Sequence, residues 1–269
     1  MSEIYKHPNE YDLEHLGDDE DIAFYVSLVR SLRPRRIMEL GCGTGRVTLP
    51  IAEEGARSGC EVIGLDNEPQ MLERAQQSLV DAAPEVRRYL RFIHGDMRTF
   101  SAEPKLDLIV IPCASMSHVL ELDDQIAVFK RCYANLNPGG RFIVEVTMPN
   151  LAAYADSFRV PPRTPLEIDL DRSDDGDGTR LIRRKTTRYL SDRQLAEIRF
   201  LYEKYQHGRA IESYIDDFKS HVFFPRELAL LFVHTGFAIE RTLGDYRGRP
   251  LAPNSPLIIM IGKRTDESD

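Results

Sequence analysis

The chain has 269 residues, with 35 Lys and Arg against 43 Asp and Glu, which gives a formal net charge of −8 at pH 7. A chain of this length can bury a large apolar core without disulfides or structural metals, and its negative charge disfavours a dedicated nucleic-acid binder. Its four cysteines form no CxxC pair, which indicates reduced thiols rather than a disulfide framework or a zinc site. We expect no metal.

The N-terminal region, residues 1–35, predicts an arm followed by one helix. The first part is polar and carries tyrosines, which is typical of a flexible arm or lid. From Asp18 to Arg33 apolar residues recur at helical spacing, and Pro34 ends the helix. The region lacks the apolar core of a signal peptide, and no apolar run in the chain approaches the ~18 residues of a membrane span. We therefore expect a cytoplasmic protein.

Residues 36–150 alternate short apolar runs with amphipathic segments. The apolar runs predict five strands, at Ile37–Leu40, Val62–Leu65, Leu90–Ile93, Leu106–Ile111 and Phe142–Val146. Helical patterns separate several of them, at Val47–Arg57, Pro69–Ala83 and Asp123–Leu136. This alternation predicts βαβ units and a parallel sheet that is covered on both faces.

Residues 151–222 break the alternation. Three strand patterns follow one another without helices, at Thr164–Ile168, Arg180–Leu190 and Gln194–Gln206, which predicts antiparallel pairing. Residues 223–269 then return to the first sheet, with a helix at Pro225–Thr235 and strands at Phe237–Leu243 and Leu257–Gly262. The predicted fold is α/β, with a doubly wound, mostly parallel seven-stranded sheet and an antiparallel insert after its fifth strand.

A glycine-rich turn joins the first strand to the next helix. Glycines at positions 41, 43 and 45 let the backbone approach a ligand closely and adopt positive φ. The spacing is GxGxG, and Arg46 stands where the dinucleotide fingerprint GxGxxG needs its third glycine. Glu39, two residues before the turn, would repel a pyrophosphate and attract an ammonium group. The turn therefore disfavours an NAD-linked dehydrogenase.

Acidic residues follow the next two strands. Asp66 ends the second strand about 20 residues past the last glycine, where doubly wound folds bind a ribose diol. Asp96 follows the third strand beside a flexible glycine. Taken singly, each acid is also consistent with a surface or helix-capping role. Taken together with Glu39, they favour a ligand that carries an amine, a ribose and a base.

These segments, with the strand Leu106–Pro112 and the stretch Leu136–Gly140, resemble the class I S-adenosylmethionine-dependent methyltransferases of the small-molecule N/O type. The resemblance covers about residues 36–146 and the final strand pair. It implies S-adenosyl-L-methionine as the cofactor and S-adenosyl-L-homocysteine as its product. It also implies the residues that bind the cofactor, which are Glu39, Gly41, Cys42 and Gly43 with main chain near Cys113 at the methionine end, Asp66 at the ribose, and Asp96 and Met97 at the adenine, with Asn67 and Met71 beside them.

The segment after the fourth strand is expected to face the methyl acceptor. Transfer from a sulfonium is an in-line displacement, so the protein mainly orients the nucleophile and excludes water. His118 is the candidate for a catalytic base or orienting residue, because it follows this strand and histidine titrates near neutral pH. A helix-end surface histidine is the alternative. The segment lacks the Asx-Pro-Pro-aromatic signature of methyltransferases that act on amides or base amines, which favours a small-molecule acceptor over DNA.

Three further residues are candidates for binding the substrate. Tyr11 would close over the cofactor as a lid or fix the arm, and Arg46 would hold a carboxylate or lie exposed. Tyr202 belongs to an aromatic stripe of the insert, which also fits the packed face of a sheet. In the enzymes that the chain resembles, such inserts roof the acceptor site or make dimer contacts, so a homodimer through the insert is a further expectation.

Two other functions stay open at this stage. A cofactor-binding protein without turnover, or a regulatory partner subunit, would keep the same glycine turn. An RNA methyltransferase would dock its substrate on the basic run between Arg180 and Arg188, against the net negative charge of the chain. The default interpretation of that run is a solvated strand face.

Overall fold

The computed structural model describes residues 3–160, 163–174 and 176–265. They divide into two compact units. The core unit comprises residues 19–148 and the chain from residue 223 onwards, and the insert unit comprises residues up to 18 together with 149–222. The N-terminal region predicted as one segment, 1–35, is thus divided between the units after Asp18.

The helices are α1 (Pro8–Glu14), α2 (Glu20–Leu32), α3 (Thr48–Ala56), α4 (Pro69–Asp81), α5 (Pro84–Tyr89), α6 (Leu122–Asn135), α7 (Leu151–Tyr154) and α8 (Pro225–His234). The strands are β1 (Arg36–Leu40), β2 (Glu61–Asp66), β3 (Leu90–His94), β4 (Leu106–Ile111), β5 (Leu136–Thr147), β6 (Glu167–Asp174), β7 (Thr179–Leu190), β8 (Leu195–Gln206), β9 (Arg209–His221), β10 (Phe237–Leu243) and β11 (Leu257–Arg264). Short 3-10 helices lie at Glu3–Lys6, Ser115–His118 and Ala155–Phe158. Within the described ranges, none of the helices is both long and apolar enough to cross a membrane.

The core unit is built on a seven-stranded sheet with the order β10-β11-β5-β4-β1-β2-β3. Strands β1 to β5 run parallel, while β11 is antiparallel to both β5 and β10. Strand β10 therefore runs in the same direction as β5. The loops that follow β1 to β5 and β10 consequently meet at one edge of the sheet, where ligands bind in doubly wound folds. The predicted α/β architecture is confirmed.

Two apolar layers cover this sheet. On one face Tyr25 and Val29 of α2 pack with Ile51 of α3, and on the other Phe129 of α6 packs with Phe232 of α8. Phe129 and Phe232 meet edge to face with ring centroids 5.0 Å apart, and both side chains are fully buried. Each such side chain contributes roughly 1.5–3 kcal/mol through burial, so the layers fix the strands that carry the site.

The insert unit is a four-stranded antiparallel sheet with the order β6-β7-β8-β9. Its last strand, β9, was not predicted, because its apolar residues fall on both faces, with Ile211 and Ile215 on the face opposite Tyr214 and Phe218. Ile211 and Ile215 are exposed. The N-terminal arm forms a 3-10 turn and α1. Its Ile4 and Leu13 pack with residues of β7 and β8, and Asp216 of β9 accepts the main-chain N–H of Ile4 at 3.2 Å.

The predicted basic run of the insert is balanced by carboxylates. Its four arginines form ion pairs within the insert unit, Arg180 with Asp171, Arg183 with Glu14 and Asp169, Arg184 with Glu203, and Arg188 with Glu197. The pairs of Arg180 and Arg188 are exposed, as on a solvated strand face, whereas the pair of Arg183 and Glu14 is largely buried. They do not form a uniformly positive patch.

Candidate active site

The glycine turn packs closely on β2 and on the segments of β3 and after β4. Gly41 and Gly45 adopt φ of +76° and +82°, as the sequence predicts. The main-chain N–H of Gly41 donates to the carbonyl of Leu65 in β2 at 2.8 Å. A Cβ on Gly41 would lie 2.9 Å from Cβ of Ser115, and one on Gly45 would lie 2.8 Å from the Phe92 ring. Side chains at these positions would therefore strain the backbone and fill the turn.

Asp66 and the glycine turn are brought together. Its Oδ2 accepts the main-chain N–H of Gly43 at 2.7 Å, and its Oδ1 accepts that of Glu68 at 2.8 Å. Burial raises the pKa of Asp66, and these main-chain donors oppose the rise. The acid predicted to follow β2 is thus oriented by the turn that follows β1.

Glu39 is a buried carboxyl beneath the turn, with 2% of its surface exposed. The hydroxyl of Thr48 donates to its Oε2 at 2.6 Å. Burial raises the pKa of Glu39 to about 8. The Thr48 hydroxyl and the Arg46 guanidinium lower this pKa, and the Asp66 carboxylate raises it further. A carboxyl with such a raised pKa is mostly protonated at neutral pH and ionises when a cation approaches, so the site favours a cationic ligand.

Asp96 lies two residues after β3, where its carboxylate is held by Arg98. The guanidinium Nε lies 3.0 Å from Oδ1, and a second Arg98 nitrogen contacts Asp124 of α6 at 2.8 Å. The hydrogen bonds from Arg98 lower the pKa of Asp96, so this acid stays ionised. Sequence reasoning missed Arg98, although it is only two residues away.

The neighbouring candidates lie at different depths in the core unit. Cys42 is buried, and its main-chain N–H donates to Leu65 at 3.0 Å. Met97 is partly buried against the core, and Asn67 is exposed. Met71 is 1% exposed, and its side chain lies in the interior of the unit.

The turn after β4 carries unusual backbone geometry. Cys113 and Ala114 are successive non-glycine residues with φ of +53° and +56°. The 3-10 helix that follows ends at His118, whose side chain is exposed. The turn and this histidine lie at the edge of the sheet where the parallel strands end, as the sequence predicts. The exposure of His118 is compatible with an acceptor-orienting role and with a surface histidine.

The three substrate candidates lie in other surroundings. Arg46 pairs through both terminal nitrogens with Asp21 of α2, and one of these lies 3.1 Å from Sγ of Cys113. Its guanidinium is therefore engaged inside the core unit. Tyr202 is fully buried in the insert unit and stacks on Tyr214 with ring centroids 4.7 Å apart. This position fits the packed face of a sheet. Tyr11 contacts the rings of its neighbours in the arm.

A second buried carboxyl, Glu145, was missed. It lies on β5 with 2% exposure and accepts hydrogen bonds from the hydroxyls of Tyr25 at 2.9 Å and Tyr246 at 2.6 Å. Burial raises its pKa to about 7, and these hydroxyls oppose the rise. The sequence did contain an indication, because an acid inside the apolar run Phe142–Val146 is costly unless partners satisfy it.

Comparisons with known proteins indicate a methyltransferase. Residues 37–140 match the family described as a methyltransferase domain. The "Putative methyltransferase YqeM" of Bacillus subtilis (strain 168) is 25% identical over 212 residues, which cover 78% of this chain and 76% of that relative. Further curated relatives, carboxy-S-adenosyl-L-methionine synthases among them, align over 42% to 61% of their own length.

Solved structures show the same fold along most of the chain. DesVI of Streptomyces venezuelae superposes with a TM-score of 0.72 at 21% identity, covering 96% of this chain and 98% of that one. The sugar N-methyltransferase KedS8 of Streptoalloteichus sp ATCC 53650 superposes with a TM-score of 0.68 at 15% identity, covering 95% and 93%. Two further structures of this fold were solved with S-adenosylmethionine or S-adenosylhomocysteine bound.

The match of residues 37–140 to the methyltransferase domain and the similarity to curated and solved methyltransferases support an S-adenosylmethionine-dependent methyltransferase, with S-adenosyl-L-methionine as the cofactor and S-adenosyl-L-homocysteine as the product.

Proposed function

We propose that this enzyme transfers the methyl group of S-adenosylmethionine to a nitrogen or oxygen atom of a small-molecule acceptor, with amines as the favoured class. The observation that carries the proposal is the acidic excess around the glycine turn. Glu39 and Asp21 are buried there, Asp66 adjoins them, and the Arg46 guanidinium is the cation that favours ionisation of Glu39. A positively charged cofactor balances that excess.

The residues around the turn suit the parts of the cofactor. Glu39 and the glycine turn would hold the methionine end, with main chain at Cys113. Asp66, already oriented by Gly43, would accept hydrogen bonds from the ribose hydroxyls, and Asp96 would face the adenine. The cofactor supplies a methyl group activated by a sulfonium, and the protein orients the nucleophile and keeps water away.

The acceptor class is supported by the segment after β4 and by one protein of similar fold. A neutral amine needs orientation more than a strong base, and the polar side chain at this edge that we assign to such a role is His118. KedS8, whose fold is similar, is a sugar N-methyltransferase, which makes amino sugars the first acceptors to test. The paired arginines of β7 favour small molecules over RNA.

The test measures transfer of labelled methyl groups to amino sugars, simple amines, phenols and RNA. We expect the amines to be labelled. Labelling of RNA alone, or cofactor that binds and is not consumed with any acceptor or with a metabolite extract, would contradict the proposal, and the second result would favour a binding protein without turnover.

The same assay tests His118. His118→Ala should lose on the order of 10²-fold in turnover while binding S-adenosylhomocysteine like the parent, because its role concerns the acceptor. His234→Ala is the matched control, since His234 is an exposed histidine at the end of α8. Equal turnover of the two variants would show that His118 is a surface histidine.

A further inference from the structure

Arg98 is a charged residue that the proposed reaction does not use. It lies two residues past Asp96 in the turn after β3, and its guanidinium spans both oxygens of that carboxylate. Nε lies 3.0 Å from Oδ1 and 3.1 Å from Oδ2, and Nη2 lies 2.6 Å from Oδ2. A planar fork of this kind fixes the orientation of the carboxylate as well as its position.

Two further contacts fix the fork itself. The main-chain N–H of Arg98 donates to Oδ1 of Asp96 at 2.8 Å, which closes the turn locally. On the outer side Nη1 donates to Oδ2 of Asp124 at 2.8 Å, in the first turn of α6. Arg98 therefore joins the turn after β3 to α6 and holds the Asp96 side chain in one orientation.

The turn that carries Asp96 adjoins the other parts of the candidate site. The main-chain N–H of Gly95 donates to the carbonyl of Asp66 at 2.9 Å. A Cβ on Gly41 of the glycine turn would lie 3.6 Å from Cε of Met97. The Asp96 side chain is 29% exposed, so a ligand held by these turns can reach its carboxylate.

The contacts leave Asp96 able to accept a hydrogen bond from a ligand and unable to donate one. Hydrogen bonds from Arg98 lower the pKa of Asp96, so the carboxylate is ionised at neutral pH and offers acceptor positions only. Within the described residues Oδ2 accepts from the Arg98 guanidinium alone, and Nε is shared with Oδ1. Because a carboxylate oxygen has two lone pairs, Oδ2 can accept one more N–H group.

We propose that Arg98 is a positioning residue that makes the enzyme select a 6-amino base over a 6-oxo base in its cofactor. An exocyclic amine donates to the oriented carboxylate, whereas an oxo group is itself an acceptor and meets a carboxylate that has no hydrogen to donate. Arg98 acts through Asp96 and not on the base itself. This inference rests on the placement of adenine at Asp96 in the proposed function and is independent of the methyl acceptor.

The experiment compares two ligands that differ in the base. S-Adenosylhomocysteine carries the 6-amino group, and S-inosylhomocysteine carries a 6-oxo group in its place. By calorimetry at neutral pH we expect the parent to bind the amino ligand at least about tenfold more tightly, as for a hydrogen bond to a charged group. Arg98→Gln should bring the two affinities to within about twofold, through weaker binding of the amino ligand. Arg199→Gln, which removes a similar fork on Asp217 in the insert unit, should keep the full preference.

The ratio of the two affinities separates positioning from a general loss of structure. A damaged fold weakens both ligands by the same factor and leaves the ratio unchanged. Equal affinities in the parent, or an Arg98→Gln ratio equal to that of the parent, would overturn the proposal.

Asp96→Asn distinguishes this proposal from the assignment on which it rests. If Asp96→Asn loses the preference while Arg98→Gln keeps it, the role of Arg98 fails and the placement of adenine at Asp96 stands. If Asp96→Asn also keeps the preference, both fail.

Asp124→Asn provides an independent test if Arg98→Gln does not fold. This variant keeps Asp96 and Arg98 and weakens the outer hold on the guanidinium, so the preference should fall by a smaller factor, about two- to threefold. An unchanged preference would again overturn the proposal. These assays contain no acceptor, so a failure to find methyl transfer would count against the proposed acceptor alone.

Discussion

Binding of the cofactor should release a proton from Glu39. This carboxyl is 2% exposed, and burial raises its pKa to about 8 against the opposing effects of Thr48 and Arg46. An ammonium group or a sulfonium brought beside it favours the ionised form. Binding and ionisation of Glu39 are therefore coupled, and the coupling has a definite sign, with affinity rising as the pH rises.

The size of the effect follows from the pKa. With a pKa of about 8, roughly one Glu39 in eleven is ionised at pH 7, and ionising the rest costs about 1.4 kcal/mol. If only the ionised form binds, affinity should rise about ninefold from pH 6 to pH 7 and level off above pH 8. At pH 7 about 0.9 protons should be released for each ligand bound.

Titration calorimetry with S-adenosylhomocysteine measures both quantities, in phosphate and in Tris because their ionisation enthalpies differ. The amino group of the ligand also titrates in this range, so the informative quantity is the ratio of parent to Glu39→Gln. That ratio should rise from pH 6 to pH 8, and the variant should lose the proton release assigned to Glu39. A constant ratio with equal proton release would refute the coupling.

The same contacts lead to three further predictions. Asp66→Ala should weaken S-adenosylhomocysteine binding by about 1.5 to 3 kcal/mol in a chain that stays folded, and calorimetry that finds unchanged affinity would remove Asp66 from the site. Gly41→Val should abolish binding while a thermal melt still shows a folded chain, because its Cβ would lie 2.9 Å from Ser115; normal binding would show that the turn does not hold the cofactor. Finally, the folded-state pKa values of Glu39 and Glu145 lie above 4.5, so their stabilising contribution is complete below pH 4.5 and is lost as the pH rises through about 7 and 8. The melting temperature of the ligand-free parent relative to Glu39→Gln should fall over that range, and a rise would contradict the sign.

Local patterns determined the main elements of the core unit. Strand β4 has the predicted bounds, and β1 and β2 extend the predicted runs by one or two residues, because buried parallel strands are continuous apolar runs bounded by turns. The glycine turn and Asp66 could also be located from short stretches of sequence. Their roles depend on backbone freedom and on position at a strand end, and both are visible within a few residues of sequence.

The partners of the buried acids were decided by tertiary structure alone. Glu145 meets Tyr25 across 120 residues and Tyr246 across 101, and no local period connects such positions. The N-terminal arm is likewise ordered by packing on strands about 170 to 200 residues away. Periodicity reports which face of an element is buried, whereas the pairing of buried polar groups depends on which elements become neighbours in the sheet. The sequence therefore determined where the glycine turn lies, and the fold decided which buried polar groups surround it.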